Sequence, residues 1–389
     1  MKVYEDLTRS VLTAEANFRN YRTINPYVKR VPALLVWLLG ATLLIPFGRR
    51  TATAAPVVPL QVSTSPSNGD LNPYGLINVP FGFPTGSIGT GQLLVSNFNN
   101  SANVQGQGTT IIAVDPASGK TSLFFQGTAG TPLGFSNALT IARAGFVFAG
   151  SVPTNSAGTI AKPGALLVLD NGGHLVTRLA HSDKIDGPWG MAINDLGNEA
   201  QLFVSNVLDG TVTRLDVSFD HGFTVIGSPL TIASGYRFGP DPSAVVVGPA
   251  GLAYDSYNDV LYVASELDNE IFALEGAGKT TSNLGTGDVV FSDPSHLRGP
   301  LGLILATNGH LITANADPST VTDTTAGPSE IVEFTKDGHF VRTFSIDSAA
   351  GSAFALNDLF TKGIIQFSYV DDAEATLTIW RLSHRSFHS

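Results

Sequence analysis

Short runs in which apolar and polar residues alternate recur along the chain from about residue 57 to residue 382. Runs such as residues 201–205 and 260–264 are rich in β-branched and aromatic side chains, and Gly, Asn or Asp marks the breaks between runs. Alternation with a period of two favours strand over helix, and tight polar breaks favour hairpins. The pattern therefore predicts an all-β protein.

A short motif returns within this pattern. Its clearest copy is Gly-Pro-Trp-Gly at residues 187–190, and weaker copies lie at residues 132–135 and 351–354. The motif glycines Gly75, Gly134, Gly190, Gly251 and Gly302 are separated by 59, 56, 61 and 51 residues. This spacing slightly exceeds the usual propeller period of about 40–50 residues, and longer loops account for the excess. Six copies with four strands each predict a six-bladed β-propeller; an all-β sandwich would explain the alternation but not the motif.

The two ends of the predicted ring complement each other. Residues 57–64 form an alternating run ahead of the first motif, whereas the sixth repeat supplies only three strands, near residues 353–359, 364–369 and 375–382. We therefore expect the early run to be the outermost strand of the sixth blade. This closure would join the chain ends and cover an exposed sheet edge.

Residues 1–55 differ from the rest in composition. A basic pair precedes a 17-residue run without charge at residues 31–47, and Ala-Thr-Ala follows at residues 52–54. This order is typical of an export signal. An uncleaved membrane anchor is the alternative, because 17 apolar residues reach the lower limit for spanning a bilayer. We expect an apolar helical signal or anchor within residues 1–55 and a propeller at residues 56–389, secreted, periplasmic or anchored outside the cytoplasm.

Cysteine content and charge narrow the classes of partner. The chain has no cysteine, which excludes disulfides and Cys-ligated metals. Residues 1–55 hold eight of the 22 basic and three of the 32 acidic side chains, which leaves residues 56–389 with a net charge of −15. Such a field opposes nucleic acid and anionic membranes, and favours solubility or cationic ligands. The expected partner is a small polar ligand or a protein, with no nucleic acid and with membrane contact only through the N-terminal segment.

The predicted strand order separates the connections between two faces. Turns from first to second and from third to fourth strands are short, whereas the other connections, from second to third strands and from each blade to the next, are long. We call the face that carries the long connections the loop-rich face. Its connections include residues 97–108, 150–163, 234–249, 291–300 and 315–328. Because binding residues concentrate on long loops held by a rigid scaffold, a ligand site is expected there.

Several second strands end in a polar residue, as in Leu-Val-Ser-Asn at 94–97, Phe-Val-Ser-Asn at 203–206 and Tyr-Val-Ala-Ser-Glu at 262–266. With this feature and the Gly-led inner strand, the chain resembles the NHL-repeat propellers over about residues 57–382. That superfamily includes gluconolactonase-like and paraoxonase-like hydrolases, strictosidine-synthase-like enzymes, amidating lyases and a streptogramin lyase, beside many non-catalytic binding propellers. The resemblance implies a fold and leaves the activity open.

The resemblance also implies where a metal would lie. Lactonase-like members hold a divalent metal with Glu, Asn and Asp near the glycines of the inner strands, and amidating-lyase-like members use three histidines at comparable points. The residues before the motif glycines here are Tyr74, Leu133, Trp189, Ala250 and Leu301. None supplies the carboxylate or amide oxygen that calcium takes, and the acidic run at 255–259 lacks calcium-loop spacing. We expect no catalytic residue, metal ligand or cofactor at these positions; a divalent cation held elsewhere stays open.

The incoming loops of the third, fourth and fifth blades carry ionisable and aromatic side chains. We expect them to converge on the mouth of the central channel and to recognise a polar ligand. These residues are His181, Asp183, Asp186, Tyr236, Arg237, Asp241, Asp293, His296 and Arg298. Trp189 is expected beside them as an apolar platform. Asn97, Asn206 and Asn315 end second strands on the same face, where both ligand binding and strand termination would suit asparagine.

Two functions follow from these observations. The first is an exported, non-enzymatic propeller that binds a ligand or a protein through its loop-rich face. The second is a hydrolase or lyase of the lactonase or streptogramin-lyase-like propeller type, with non-standard site residues drawn from Asp183, Asp186, Asp241, Asp293 and His296. Metal analysis of the purified protein discriminates between them.

Overall fold

The structure, a computed structural model, describes residues 58–128, 130–321, 330–361 and 363–383. These residues form 26 strands and a 3₁₀ turn at His181–Asp183. Twenty-four strands make six four-stranded antiparallel sheets, which confirms the predicted six-bladed β-propeller. The predicted N-terminal apolar helix, residue 57 of the closing run and residues 322–328 of the last long loop lie outside the described residues. Within the described ranges, no helix has the length and apolarity needed to cross a membrane.

Strand β1 (Leu60–Ser63) comes first in the chain and belongs to the last blade. From inner to outer strand, blade 1 is β2 (Leu71–Asn78), β3 (Leu93–Asn99), β4 (Thr110–Val114) and β5 (Thr121–Gln126); blade 2 is β6 (Phe135–Ala142), β7 (Phe146–Ser151), β8 (Ala165–Asp170) and β9 (Leu175–Leu179); and blade 3 is β10 (Pro188–Asp195), β11 (Glu199–Asn206), β12 (Thr211–Ser218) and β13 (Thr224–Ser234).

A two-stranded hairpin, β14 (Gly239–Asp241) and β15 (Val245–Val247), separates blade 3 from blade 4. Blade 4 is β16 (Pro249–Asp255), β17 (Val260–Ser265), β18 (Glu270–Glu275) and β19 (Asp288–Phe291); blade 5 is β20 (Pro300–Leu305), β21 (Leu311–Asn315), β22 (Glu330–Phe334) and β23 (Phe340–Ser345); and blade 6 is β24 (Ala353–Thr361), β25 (Ile364–Asp371), β26 (Thr376–Ser383) and β1.

The expected closure of the ring is confirmed. Strand β1 pairs antiparallel with β26, with Leu60 opposite Ile379 and Val62 opposite Leu377. Val62 is 8 % exposed and packs into the interface between blades 6 and 1. The first described strand therefore covers the outer edge of the last blade.

Apolar clusters fill each interface between neighbouring blades. Leu94 packs toward blade 2, whereas its chain neighbours Leu93 and Val95 pack toward blade 6 and the ring centre. All three are fully buried. This division follows from the period-two geometry of a strand, which sends successive side chains to opposite faces of the sheet. The core is thus a ring of similar interfaces.

The motif glycines allow neighbouring inner strands to approach closely. A Cβ atom added to Gly190 would lie 1.9 Å from the carbonyl oxygen of Ala250 in the next blade. A Cβ atom added to Gly251 would lie 2.3 Å from the carbonyl oxygen of Leu301. No side chain larger than hydrogen fits such a separation. The repeated glycine is therefore a packing requirement of the narrow end of the channel.

Blade 2 departs from the predicted alignment. Gly134 precedes β6 and has a positive φ of 57°, and Asn137 occupies the place of the motif glycine because Phe135 takes the register of Pro188. The residue that faces the channel is consequently Ser136 and not Leu133, which packs between blades 1 and 2. The prediction of Leu133 at this position was wrong, because Gly134 serves as the turn that leads into the strand.

Candidate functional site

Two rings of side chains close the loop-rich end of the central channel. The first ring is the residue before each motif glycine or its counterpart: Tyr74, Ser136, Trp189, Ala250, Leu301 and Phe354. The second ring is the residue after the paired end of each second strand: Phe98, Val152, Val207, Glu266, Ala316 and Asp372. We call these twelve residues the channel plug. Ten of them carry no ionisable carboxyl group, so Glu266 and Asp372 stand out.

Backbone hydrogen bonds support the equivalence of the second ring. In five blades, its amide N–H donates to the carbonyl of the residue just before the inner strand, over 2.8–2.9 Å. Glu266 bonds to Gly248 and Asp372 to Ser352 in this way. The two acidic residues therefore occupy the same structural position in blades 4 and 6, although nothing else in their local sequence links them.

Aromatic rings form the centre of the plug. Trp189 has no exposed surface, and its ring meets those of Tyr74 and Phe98 edge to face, at centroid distances of 5.5 Å and 5.6 Å. Tyr74 also packs against Phe354, at 4.5 Å. These contacts join blades 1, 3 and 6 across the channel axis. Trp189 thus lies beneath the surface, and its role as an apolar platform for a ligand stays a prediction.

Glu266 is a buried acid within this aromatic surrounding. Burial raises the pKa of its carboxyl group well above the usual value, the nearby charge of Asp241 acts in the same direction, and contacts with Gly248 and Trp189 oppose the rise. Neither Glu266 Oε1 nor the indole Nε1 of Trp189 has a hydrogen-bond partner among the described residues. The environment consequently favours the protonated, uncharged form of Glu266.

Asp372 and Tyr74 respond to the same surroundings. Burial raises the pKa of Asp372 to about 6. The pKa of Tyr74 is also raised, first by burial and then by the carboxyl groups of Glu266 and Asp372. The phenol of Tyr74 is thus influenced by both acids. Of these three groups, Tyr74 and Asp372 border open space.

That space is a cavity of about 200 Å³ on the loop-rich face, which we call the mouth cavity. Its walls include Asn72, Tyr74, Phe98, Asp317, Phe354 and Asp372, together with the connections at residues 105, 243–244, 316 and 350–351. The connections that line it all belong to the loop-rich face, and Asp372 lies on the short turn between β25 and β26. Loops from blades 1, 5 and 6 and the hairpin before blade 4 therefore meet around one opening.

The hairpin β14–β15 forms one wall and is held in place at its first strand. Both carboxylate oxygens of Asp241 accept hydrogen bonds: Oδ1 from Ser243 and Ser319, and Oδ2 from the backbone and hydroxyl of Thr320 at 2.7 Å each. Although burial opposes ionisation, these donors lower the pKa of Asp241 to about 2. Val245 has a positive φ of 66°, a strained conformation for a β-branched residue. The clasp by Asp241 stabilises this shape.

Several residues predicted to face the channel mouth are paired within their own loops. His181 Nδ1 lies 3.3 Å from Asp186 Oδ2, and His296 Nδ1 lies 2.7 Å from Asp293 Oδ2. Asp183 accepts a hydrogen bond from the backbone of its own 3₁₀ turn. Burial raises the pKa of Asp293, but hydrogen bonds from His296 and its neighbour outweigh this effect and lower it overall. These ionisable residues therefore form contacts within their own loops.

The remaining residues of the predicted set are spread over several environments. Arg298 is almost buried and binds Asp317 and Glu330. The Tyr236 hydroxyl donates to a backbone carbonyl at 3.0 Å between blades 3 and 4. Arg237 lines a separate groove of about 270 Å³ together with residues 267–269, Ser292 and Pro294. None of the thirteen predicted residues lines the mouth cavity, and their role in ligand binding stays a prediction.

The three predicted asparagines hold incoming loops to the ends of second strands. All are fully buried. Asn206 Oδ1 accepts from the backbone N–H of Asp186, and Asn315 Oδ1 from that of Arg298, each at 3.0 Å. Asn97 donates to a carbonyl of the loop that leads into β2. Of the two interpretations of these residues, strand termination has direct hydrogen-bond support.

Sequence reasoning missed Asn72, Glu266 and Asp372. A signal for the acids was present, because aligning the ends of the six second strands places Glu266 and Asp372 in a column that is otherwise apolar. Asn72 could be recognised less easily. It has a positive φ of 58° and 4 % exposure, and its Oδ1 has no partner among the described residues.

The channel plug does not fit a divalent metal of the kind found in lactonase-like propellers. Calcium takes six to eight oxygen ligands, whereas the plug offers two carboxyl groups among aromatic and aliphatic side chains. In the part of the chain that the structure describes, no group of three or more His, Cys, Asp or Glu side chains is placed to hold a metal ion. The opposite end of the channel holds a second cavity of about 300 Å³, lined by the inner strands.

No protein-family model matches the sequence, and no curated protein matches it. Solved structures of similar shape include a gluconolactonase from Xanthomonas campestris, with 14 % identity, a TM-score of 0.47 and coverage of 85 % of this chain and 99 % of that one. The calcium-binding protein regucalcin from Agrobacterium tumefaciens has 12 % identity, a TM-score of 0.46 and coverages of 80 % and 90 %. Luciferin-regenerating enzyme has 11 % identity, a TM-score of 0.45 and coverage of 84 % of this chain and 95 % of that one. The chain is a six-bladed β-propeller, similar in fold to these three proteins.

Proposed function

We propose that the protein is an exported, non-catalytic propeller that binds a small polar ligand in the mouth cavity of its loop-rich face. The observation that carries this proposal is Asn72. Its side chain is 4 % exposed and lines the cavity, yet its Oδ1 lacks a hydrogen-bond partner among the described residues. A buried polar atom left without a partner costs about 1–3 kcal/mol. The atom is covered in the structure, so a ligand donor in the cavity would remove that cost once the Asn72 amide turns toward the opening.

Asp372 supports the same conclusion. In the described part of the chain, its carboxyl group forms no hydrogen bond or ion pair, and burial is the sole cause of its raised pKa. Asp317, on the same wall, already binds Arg298 and the backbone of Gly351. The wall of the cavity therefore holds two acceptors without partners on a scaffold of fixed strands. The Asp372 carboxyl group borders the open space, whereas Asn72 Oδ1 is covered.

The size of the cavity restricts the ligand. Sites for drug-sized molecules enclose roughly 300–1,000 Å³, whereas the mouth cavity measures about 200 Å³. A molecule of a few non-hydrogen atoms, or one end of a longer molecule, is the appropriate occupant. This concave shape supports a small ligand over a flat protein surface.

A fragment screen tests the proposal. We expect thermal-shift and calorimetric hits from a library of neutral, anionic and cationic molecules of up to about eight non-hydrogen atoms. Binding should weaken in Asn72→Gly, because glycine keeps the positive φ while it removes the amide. The matched control is Lys184→Gly, which changes an exposed residue that also has a positive φ, 56°, in the loop before blade 3. Absence of hits, or hits equally affected by both variants, would overturn the proposal.

Export is tested separately by fractionation. Full-length chain with a tag at its C-terminus should be found outside the cytoplasm, as a shortened species if the N-terminal segment is cleaved or in the membrane fraction if it anchors. Intact protein confined to the cytosol would contradict export without affecting the ligand site.

A second candidate, a hydrolase or lyase with non-standard site residues, is favoured by one observation. Asp372 has a pKa raised to about 6 and shares a cavity with Tyr74, and general acids and bases work best near the operating pH. Assays against a panel of small lactones and esters would support this candidate if turnover followed an ionisation near pH 6 and disappeared in Asp372→Asn.

A further inference from the structure

We propose that the ligand of the mouth cavity is a small organic ammonium ion, a protonated primary amine with a short apolar body. This inference rests on the proposed function and names the chemical class of its ligand. It follows from three properties of the same wall: unpartnered acceptors, aromatic rings and the lack of any cationic lining residue.

The polar groups of the cavity wall that lack partners are hydrogen-bond acceptors. Asn72 Oδ1 and the Asp372 carboxyl group lack partners in the described structure. The Asn72 amide nitrogen, by contrast, already donates to Asn99 Oδ1 at 3.4 Å. A primary ammonium ion carries three N–H donors and no acceptor. It could bond to the Asp372 carboxylate and neutralise it. Asn72 Oδ1 is covered in the structure and would accept a second bond once its amide turns toward the opening.

Aromatic rings supply the apolar part of the wall together with small side chains. Tyr74, Phe98 and Phe354 line the cavity, and Tyr74 packs against the other two at centroid distances of 5.1 Å and 4.5 Å. The face of an aromatic ring attracts a cation within about 6 Å of its centroid. The same rings also accommodate an alkyl chain. The wall thus suits an ammonium head group joined to a short hydrocarbon.

The charges around the cavity exclude an anionic ligand. None of the residues that line the cavity is Lys, Arg or His. The nearest guanidinium, that of Arg298, is engaged by Asp317 and by Glu330 at 2.9 Å. An anion would meet Asp372 without a compensating cation. The net charge of −15 over residues 56–389 adds a long-range attraction for cations.

A divalent metal fits this wall less well than an ammonium ion. Calcium requires six to eight oxygen ligands and magnesium an octahedral set. The cavity wall offers side-chain oxygens of Asp372, Asn72, Gln105 and Ser243. Ser243 Oγ already donates to Asp241, and both carboxylate oxygens of Asp317 are engaged by Arg298 and Gly351. The three aromatic rings of the wall provide no ligand atom. The geometry therefore favours an organic cation.

Calorimetric titration with n-butylamine, n-butanol and butyrate tests the inference on the propeller with its N-terminal segment removed or intact. Alkylamines, like the Lys side chain with a pKa of about 10.4, are charged at pH 7.5, whereas n-butanol is a neutral molecule of nearly the same shape. We expect n-butylamine to bind with a millimolar Kd, n-butanol at least tenfold more weakly, and butyrate not at all.

Variants locate the binding. Asp372→Asn should weaken n-butylamine binding at least tenfold, and Asn72→Gly severalfold. The matched control is Glu374→Gln, which removes an exposed carboxylate from the same turn and should leave the affinity within twofold of the wild type. Circular dichroism and thermal melting of each variant verify that it is folded, and Asn72→Gly provides a second variant should Asp372→Asn fail to fold.

Distinct outcomes would overturn the inference. Equal affinity for n-butanol and n-butylamine would show that charge is not recognised. One calcium ion bound per chain, displacing the amine and lost in Asp372→Asn, would assign the site to a metal. If neutral or anionic fragments alone bind in a manner that depends on Asn72, the inference fails while the proposed function stands; if no fragment of any charge binds, the proposed function fails.

Discussion

The indole ring of Trp189 meets the phenol ring of Tyr74 edge to face at the centre of the propeller, with ring centroids 5.5 Å apart and planes at 67°. The two residues occupy the same position on the inner strands of blades 3 and 1. Their contact fills the narrow end of the channel, and Tyr74 also lines the mouth cavity. Packing at this point therefore affects both stability and the proposed site.

Replacing Trp189 with Ala should strongly destabilise the fold. The side chain is fully buried, and removal of a buried aromatic side chain costs about 3–5 kcal/mol. Urea denaturation followed by circular dichroism measures the loss. Leu196→Ala is the control, since Leu196 is 61 % exposed and should change stability by no more than about 0.5 kcal/mol. Comparable losses in the two variants would contradict the central position of Trp189.

Gly190→Ala should impair folding, although it adds a single methyl group. The added Cβ would lie 1.9 Å from Ala250 O, and the backbone of the adjacent inner strand must move to accept it. Gly239→Ala is matched in chemistry but meets no atom within 4 Å. We expect a lower thermal midpoint or insoluble protein for the first variant and near wild-type behaviour for the second. Wild-type stability of Gly190→Ala would refute the close-approach role of the motif.

Closure of the ring predicts different effects for two N-terminal truncations. A chain that begins at residue 65 lacks β1 and leaves β26 with an unpaired edge, so its thermal midpoint should fall by several degrees or it should aggregate. A chain that begins at residue 55 retains β1 and should behave like the longer protein. Differential scanning calorimetry compares them, and equal midpoints would argue against the closure.

Asp372→Asn should stabilise the protein in a pH-dependent way. Because burial raises the pKa of Asp372 from 3.8 to about 6, the ionised carboxylate destabilises the native state. This cost is absent below pH 4, develops as the pH rises through 6, and amounts to at most about 3 kcal/mol. The variant should therefore exceed the wild type in urea midpoint at pH 8 and match it near pH 4. A difference that is independent of pH, or one shared by Glu374→Gln, would contradict this assignment.

The number and order of the blades could be predicted because their signals are local. The alternation of apolar and polar residues indicates which side chains share a face of each strand, and polar turn residues indicate where one strand ends and the next begins. The glycine motif recurs because each inner strand must pass close to the next one. Closure by residues 57–64 followed from the same count of strands, since a ring with one three-stranded blade would leave an unpaired edge.

Blade 2 marks the limit of this approach. Both Gly134 and the glycines of the other blades precede apolar runs, and sequence spacing aligns them. Only the pairing of Phe135 with Ser151 shows that the channel position belongs to Ser136. A shift of a few residues within a strand is invisible in composition, because register is set by contacts with the neighbouring strand.

The sequence by itself determined the all-β architecture, the six repeats and the face on which the long loops gather. The tertiary structure alone decided which side chains share the mouth cavity. Glu266 and Asp372 converge with Tyr74 because equivalent positions of different blades meet at the ring centre, whereas His181 and His296 bind carboxylates within their own loops. The sequence of a loop shows which polar side chains it carries. Which of these side chains meet depends on distances between blades, and no local sequence pattern determines those distances.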